Sequence, residues 1–216
     1  MLVVCWSAKG GAGTTVVAAC LALQRAGRAP TGVVLADLAG DIPATLGLPE
    51  PDSPGLAGWL AAGEDVPADA LRRMEIAAAP GLTLLPRGAG PLEPARVDIL
   101  ANLFEQSSRP VVADCGTGSC PATSALIAAA SQSLLVTRPC YLSLRQAVQA
   151  AQRPTAVVLV REPGRVLGRQ DIERIIGAPV VAEVEVDPTI ARAVDAGLLA
   201  GAKLPRALEK ALRDVA

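Results

Sequence analysis

Short apolar runs alternate with amphipathic stretches from one end of the 216-residue chain to the other. The runs Leu2–Trp6, Gly32–Asp37, Leu82–Pro86, Pro110–Asp114, Ser133–Thr137, Ala156–Val160 and Val180–Val184 read as strands. Between them, the spacing of apolar positions predicts helices over Thr15–Ala26, Pro91–Gln106, Pro121–Ala130, Leu142–Gln152, Arg169–Ile176 and Pro188–Ala196, with a last one over Pro205–Val215. That alternation is the pattern of an α/β fold: a mostly parallel, twisted sheet of about seven strands with helices on both faces. The stretch from Pro49 to Ala79 is richer in Pro, Gly and acidic residues, and predicts short helices, Leu56–Ala62 and Ala68–Arg73, outside the main sheet. No internal repeat or low-complexity tail interrupts the pattern, so one domain over residues 1–216 is expected. Parallel sheets bind ligands beyond the carboxyl ends of their strands. Ser7–Thr15, Asp37–Asp41, Asp114–Gly118 and the residues from Arg138 onwards should therefore share one rim.

Composition narrows the picture. The chain is 51% hydrophobic but only 2% aromatic, so its core is built from Val, Leu, Ile and Ala. A formal net charge of −1 argues against broad binding of nucleic acid through the field of the whole surface. Only Lys9, Lys203 and Lys210 among the 20 cations are lysines, which singles out Lys9. The five cysteines, Cys5, Cys20, Cys115, Cys120 and Cys140, show no Cys-x-x-Cys spacing and have no histidine beside them. They read as reduced thiols rather than a metal or disulfide framework. Val17-Ala18-Ala19-Cys20 looks superficially like a lipoprotein cleavage site, but no cation precedes it as an n-region and a Gly-rich loop breaks any apolar h-region. No apolar stretch is long enough to span a bilayer, and a cytoplasmic location is expected.

The chemistry concentrates in "SAKGGAGTT", Ser7 to Thr15, between the first strand and the first helix. Gly10, Gly11 and Gly13 allow a tight turn and put no Cβ in the way of an anion, while Thr15 and Val16 open a helix whose positive end faces the same place. With Ala12 and Thr14 these residues form an anion nest. An ordinary Gly-rich strand-to-helix turn is the plain alternative. The dinucleotide fingerprint is excluded, because Val16 stands where its third glycine should be.

Lys9 followed by Gly10-Gly11-Ala12-Gly13 resembles the deviant Walker A motif of the ParA/MinD superfamily of dimerising P-loop ATPases. "VVLADLAGDIPATLGL" (Val33–Leu48) is similar to that family's switch I, and "GLTLLPRG" (Gly81–Gly88) to its third strand. "VVADCGTG" (Val111–Gly118) looks like Walker B and switch II, and "LLVTRPCYLSLRQA" (Leu134–Ala147) like the strand and helix that follow. "DPTIARAVDAG" (Asp187–Gly197) resembles a late loop and helix, so the likeness covers essentially the whole chain. Among relatives it looks closest to the CpaE/TadZ and septum-site-determining group. The resemblance implies a nucleotide site of Gly10, Gly11, Ala12, Gly13, Thr14 and Thr15 for ATP, and magnesium held by Thr15, Asp37 and Asp114. It also implies that Lys9 reaches across a two-fold interface.

The departures are as informative. Thr14 stands at the Walker lysine, removing a charge-assisted hydrogen bond that contributes roughly 1.5–3 kcal/mol, about one to two decades of affinity. Switch I reads Asp37-Leu38-Ala39 where the family carries Asp-x-Asp, and a methyl cannot orient water. Asp41 is a catalytic substitute only if a shift of several ångströms is tolerated, against a tolerance of about one. The family's Asn at the end of the strand finishing in Val160 is missing, and its Ile-Pro pair aligns with Val184-Glu185.

Three readings compete. One is a degenerate ParA/MinD-like positioning or assembly factor with weak ATP and magnesium binding, little or no hydrolysis, a homodimer and a protein partner. The others are a slow active ATPase, in which Lys9 and Asp41 take over the lost roles, and a protein-interaction module without nucleotide. Leu204, Leu208, Leu212 and Val215 share a face of the last helix. With no bulky aromatics and with Glu209 and Asp214 present, that face is expected to dock on its own domain rather than on a membrane.

Overall fold

The computed structural model describes every residue except Glu64, Asp65, Ala68, Ala202, Lys203 and Ala216. Among the described residues, eight strands form one sheet: β1 (Leu2–Trp6), β2 (Val33–Asp37), β3 (Ile76–Ala79), β4 (Leu82–Leu85), β5 (Val111–Asp114), β6 (Gln132–Thr137), β7 (Ala156–Arg161) and β8 (Val180–Glu185). Their order is β3-β4-β2-β5-β1-β6-β7-β8, parallel throughout except for β3. The helices are α1 (Thr14–Ala26), α2 (Ile42–Leu46), α3 (Gly55–Ala61), α4 (Ala70–Arg73), α5 (Val97–Glu105), α6 (Pro121–Ala129), α7 (Tyr141–Gln149), α8 (Arg169–Ile176), α9 (Pro188–Asp195) and α10 (Arg206–Leu212).

Side-chain alternation along the strands feeds two apolar cores. In β1, Leu2, Val4 and Trp6 enter one core with Leu56 of α3, Leu100 of α5, Leu126 of α6, Leu144 of α7 and Ile172 of α8. Val3 and Cys5 enter the other, with Val17 and Leu21 of α1, Ile42 of α2 and Leu208 and Leu212 of α10. A strand covered on both sides has no polar face to show, which is why these segments read as continuous apolar runs. Leu208, Leu212 and Val215 are buried in the second core, so the terminal helix docks on its own sheet. Among the described residues no helix is long and apolar enough to cross a membrane.

The structure corrects the sequence reading in a few places. The expected strands number seven; the eighth, β3, lies in the stretch placed outside the sheet and pairs antiparallel with β4. Pro91–Gln106 is helical only from a 3-10 turn at Pro94–Arg96 onwards, continuing as α5. The expected start of the second short helix, Ala68, lies outside the described residues, as does Lys203, whereas Ala70–Arg73 is helical. Helix α2 was not anticipated; it follows directly from a carboxylate described below.

Candidate functional site

Strand order builds the site. Strands β2, β5 and β1 are neighbours in parallel register, so the loops at their carboxyl ends emerge side by side. Backbone bonds tie these loops together. Ser7 N–H donates to Gly116 O at 2.8 Å, Cys115 N–H to Cys5 O at 2.9 Å and Leu38 N–H to Asp114 O at 2.9 Å. They enclose an open cleft of about 780 Å3 lined by Gly10–Val16, Leu38, Ala39, Asp41, Arg87 and Cys115–Thr117, among others. That volume lies within the usual range for small-ligand sites.

The expected nest is present. Gly11 and Gly13 adopt φ of 77° and 92°, the left-handed region that favours glycine. Gly13 caps α1 with no side-chain hydrogen bond, so the first-turn N–H groups of that helix are not taken up by a side chain. A Cβ added at Gly11 or Gly13 would meet nothing within 4 Å, so the turn stands open above the cleft. Thr14 is on the cleft wall but only 6% exposed, and Thr15 is half-buried on the same wall. Lys9 is exposed and is not part of the lining.

Asp37 and Asp114 sit on neighbouring register positions of β2 and β5, both completely buried. Asp37 Oδ1 accepts from Gly40 N–H at 2.6 Å and Oδ2 from Ile42 N–H at 3.2 Å. The carboxylate thereby folds the Leu38–Asp41 loop and starts α2. It lies in a smaller cleft of about 220 Å3 beside the main one, with Asp41, Glu50 and Arg87. Burial pushes its pKa up to about 7, with Asp114 adding to the rise and the backbone bonds opposing it. Asp114 Oδ1 accepts from Gly116 N–H at 3.1 Å. Its Oδ2 is buried with no hydrogen-bond partner among the described residues. Burial raises the Asp114 pKa to about 6, and the nearby Thr15 hydroxyl pulls the other way without satisfying Oδ2. An orphaned carboxylate oxygen beside a threonine hydroxyl, under an uncapped helix start, has the donor chemistry that a hard divalent cation with a phosphate ligand takes.

The residues from Arg138 onwards follow β6, which runs parallel beside β1, so they stand on the same rim as the nest, though not every residue of that rim faces the cleft. Arg138 does not line the cleft: its Nη1 pairs with Glu162 at 2.6 Å, and Arg165 closes on the same carboxylate at 2.7 Å. Arg165 first, then Arg138, holds the Glu162 carboxyl below its ordinary pKa. The ends of β7 and β8, with Val160, Arg161, Val184 and Glu185, also stay off the cleft wall. Asp41 does line it, as an exposed side chain next to Ala39. The Ala39 methyl lies against Gly116, whose added Cβ would approach it to 3.2 Å. Sequence reasoning missed Arg87 on the cleft wall. It stood inside the quoted "GLTLLPRG", where only the strand was read.

The three-dimensional comparison decides the fold family. A ParA family ATPase from Chlorobium tepidum TLS superposes with a TM-score of 0.82 at 23% identity, covering 99% of this chain and 96% of that one. The chain has the ParA/MinD fold. The ParA/MinD likeness extends to the septum site-determining protein MinD from Pyrococcus horikoshii OT3, solved with Mg-ADP, at a TM-score of 0.79 and 20% identity over 99% and 95% of the two chains. It extends also to MinD of Aquifex aeolicus in its MinC:MinD complex, with a TM-score of 0.79 and 20% identity over 99% and 94%. No protein-family model and no curated protein sequence matches the chain.

Proposed function

We propose that this chain is a ParA/MinD-like P-loop protein of the cytoplasm that binds ATP weakly and hydrolyses it little or not at all. It acts as a spatial positioning or assembly factor through a homodimer and a protein partner. The observation that carries the reading is the open Gly10–Thr15 nest on the cleft wall with Asp114 buried behind it beside Thr15, its Oδ2 without a hydrogen-bond partner among the described residues. The nest N–H groups bind phosphate, and Thr15 and Asp114 would hold magnesium, with Asp37 organising the adjoining loop. Magnesium, when bound, supplies charge neutralisation for phosphate oxygens and for the buried carboxylates. Thr14 places a hydroxyl where a lysine would place a cation, and Ala39 places a methyl where a carboxylate would orient water. The first substitution weakens binding and the second removes a catalytic group. Calorimetric titration of ATP with and without magnesium tests the binding. The expected result is a weak, magnesium-dependent isotherm, and a flat one would leave only an interaction module.

Asp41 favours a second reading, a slow ATPase, because it is the one carboxylate side chain exposed on the main cleft wall among the described residues. Phosphate release separates the two: robust magnesium-dependent turnover lost in Asp41→Ala and Asp114→Ala establishes the ATPase. The dimer is tested by sedimentation of the parent and Lys9→Ala with ATP and magnesium. Self-association that weakens with the substitution supports Lys9 at a two-fold contact, and a monomer indifferent to both ligand and substitution refutes it.

A further inference from the structure

Arg87 is the one cation among the described residues lining the cleft. It leaves the sheet just after β4, whereas the nest follows β1, and β2 and β5 lie between. Three strand spacings separate the two, about 14 Å at roughly 4.8 Å each, so Arg87 and the Gly10–Thr15 nest bracket the cleft from opposite sides. The guanidinium is held in place: Nη1 donates to Leu38 O at 2.6 Å and Nη2 to Gly90 O at 3.0 Å. Its stem passes over Gly40, whose added Cβ would lie 3.1 Å from Arg87 Cδ.

Both acceptors are neutral carbonyls, so neither cancels the charge. Asp41 and Glu50 share the smaller cleft with Arg87, yet no carboxylate of the described residues lies within ion-pair distance of it. A preorganised, half-buried guanidinium with its charge unpaired and N–H groups to spare is suited to a phosphate, which it can meet with more than one donor. The cleft has lost its lysine at Thr14 and kept a cation on the opposite wall.

We propose that Arg87 binds the outermost phosphate of a nucleoside triphosphate seated on the Gly10–Thr15 nest, and so makes the cleft select a triphosphate over a diphosphate. This rests on the nucleotide-binding reading above. Through Leu38 O the same guanidinium ties the outermost phosphate to the loop that Asp37 folds.

The test is calorimetric titration of ATP and of ADP, each with magnesium, into the parent, Arg87→Gln and Arg87→Lys, with thermal unfolding to confirm that each is folded. Glutamine can still donate to a carbonyl but carries no charge. The parent is expected to prefer ATP by at least roughly 10-fold, with Arg87→Gln losing roughly 10- to 100-fold in ATP affinity and less than about 3-fold in ADP affinity. Arg87→Lys should keep part of the preference. Equal losses for ATP and ADP, or none, would make Arg87 a clamp of the loop alone and overturn the inference while leaving nucleotide binding intact. A parent that binds neither ligand overturns both. If Arg87→Gln does not fold, a folded Arg87→Lys whose affinities for ATP and ADP fall by the same factor overturns the inference by itself.

Discussion

Replacing Asp114 by asparagine should stabilise the ligand-free protein at neutral and alkaline pH, although the residue belongs to the proposed site. Asp114 is completely buried, with one oxygen unpartnered, and its pKa stands at about 6 against an ordinary 3.8. The folded chain therefore holds a proton more tightly than the unfolded chain. Stability tied to this group is fully present below about 3.8 and is lost as pH rises through about 6. Above that range the folded state carries a buried charge costing about 3 kcal/mol, at about 1.36 kcal/mol per pKa unit. Asparagine never ionises, keeps an oxygen for Gly116 N–H and puts an amide near the Thr15 hydroxyl. Allowing for imperfect pairing of that amide, the net gain at pH 8 is about 1–3 kcal/mol, or roughly 2–10 °C in unfolding temperature for a chain of this size. Asp37, with its pKa at about 7, slopes in the same direction in both proteins. The assay is thermal unfolding of parent and Asp114→Asn from pH 5 to pH 8, without nucleotide or magnesium. The gap should open as pH rises, and magnesium with ATP should raise the parent's unfolding temperature but not the variant's. An unfolding temperature at pH 8 equal to or below the parent's, or an identical pH slope, refutes the reasoning.

Thr14→Lys should raise ATP affinity by roughly 10- to 100-fold, the worth of a charge-assisted bond, read by the same titration; no gain would mean that the cleft cannot seat a lysine beside the nest. Gly47→Ala should destabilise by about 2–5 kcal/mol in chemical denaturation, from left-handed strain and overpacking together. Gly47 has φ of 72°, and an added Cβ would sit 1.8 Å from Gly197 O. Leu212→Ala should cost about 2–5 kcal/mol because its side chain is fully buried, whereas parent and variant alike should fail to co-sediment with anionic vesicles.

The nest was legible because everything that makes it is local. Three glycines in a span of four, an apolar strand before and a helix after are neighbours in the chain, and the turn they form needs little else. Strand positions were legible for a related reason: burial on both faces turns each strand into an apolar run that no helix period explains. β3 escaped because "IAAA" is mostly alanine, which has little preference for a strand. The strand exists because the free edge of β4 offers it a hydrogen-bonding partner across the turn at Pro80 and Gly81.

What the amino-acid order determined by itself was thus most of the elements, the glycine-rich turn after β1, and the presence of Thr14 and Ala39 where the resemblance would place a lysine and a carboxylate. What only the tertiary structure decided was how residues far apart in the chain meet. Asp37 and Asp114 became a buried pair with raised pKa values through the register of β2 against β5. Arg87 became the one cation lining the cleft among the described residues through the strand order β4-β2-β5-β1, while Arg138 pairs with Glu162 and stays off the cleft wall. Periodicity and turn chemistry act within a few residues of themselves, whereas burial, pairing and charge compensation depend on which strands lie side by side. That is set by how the whole sheet closes its two cores.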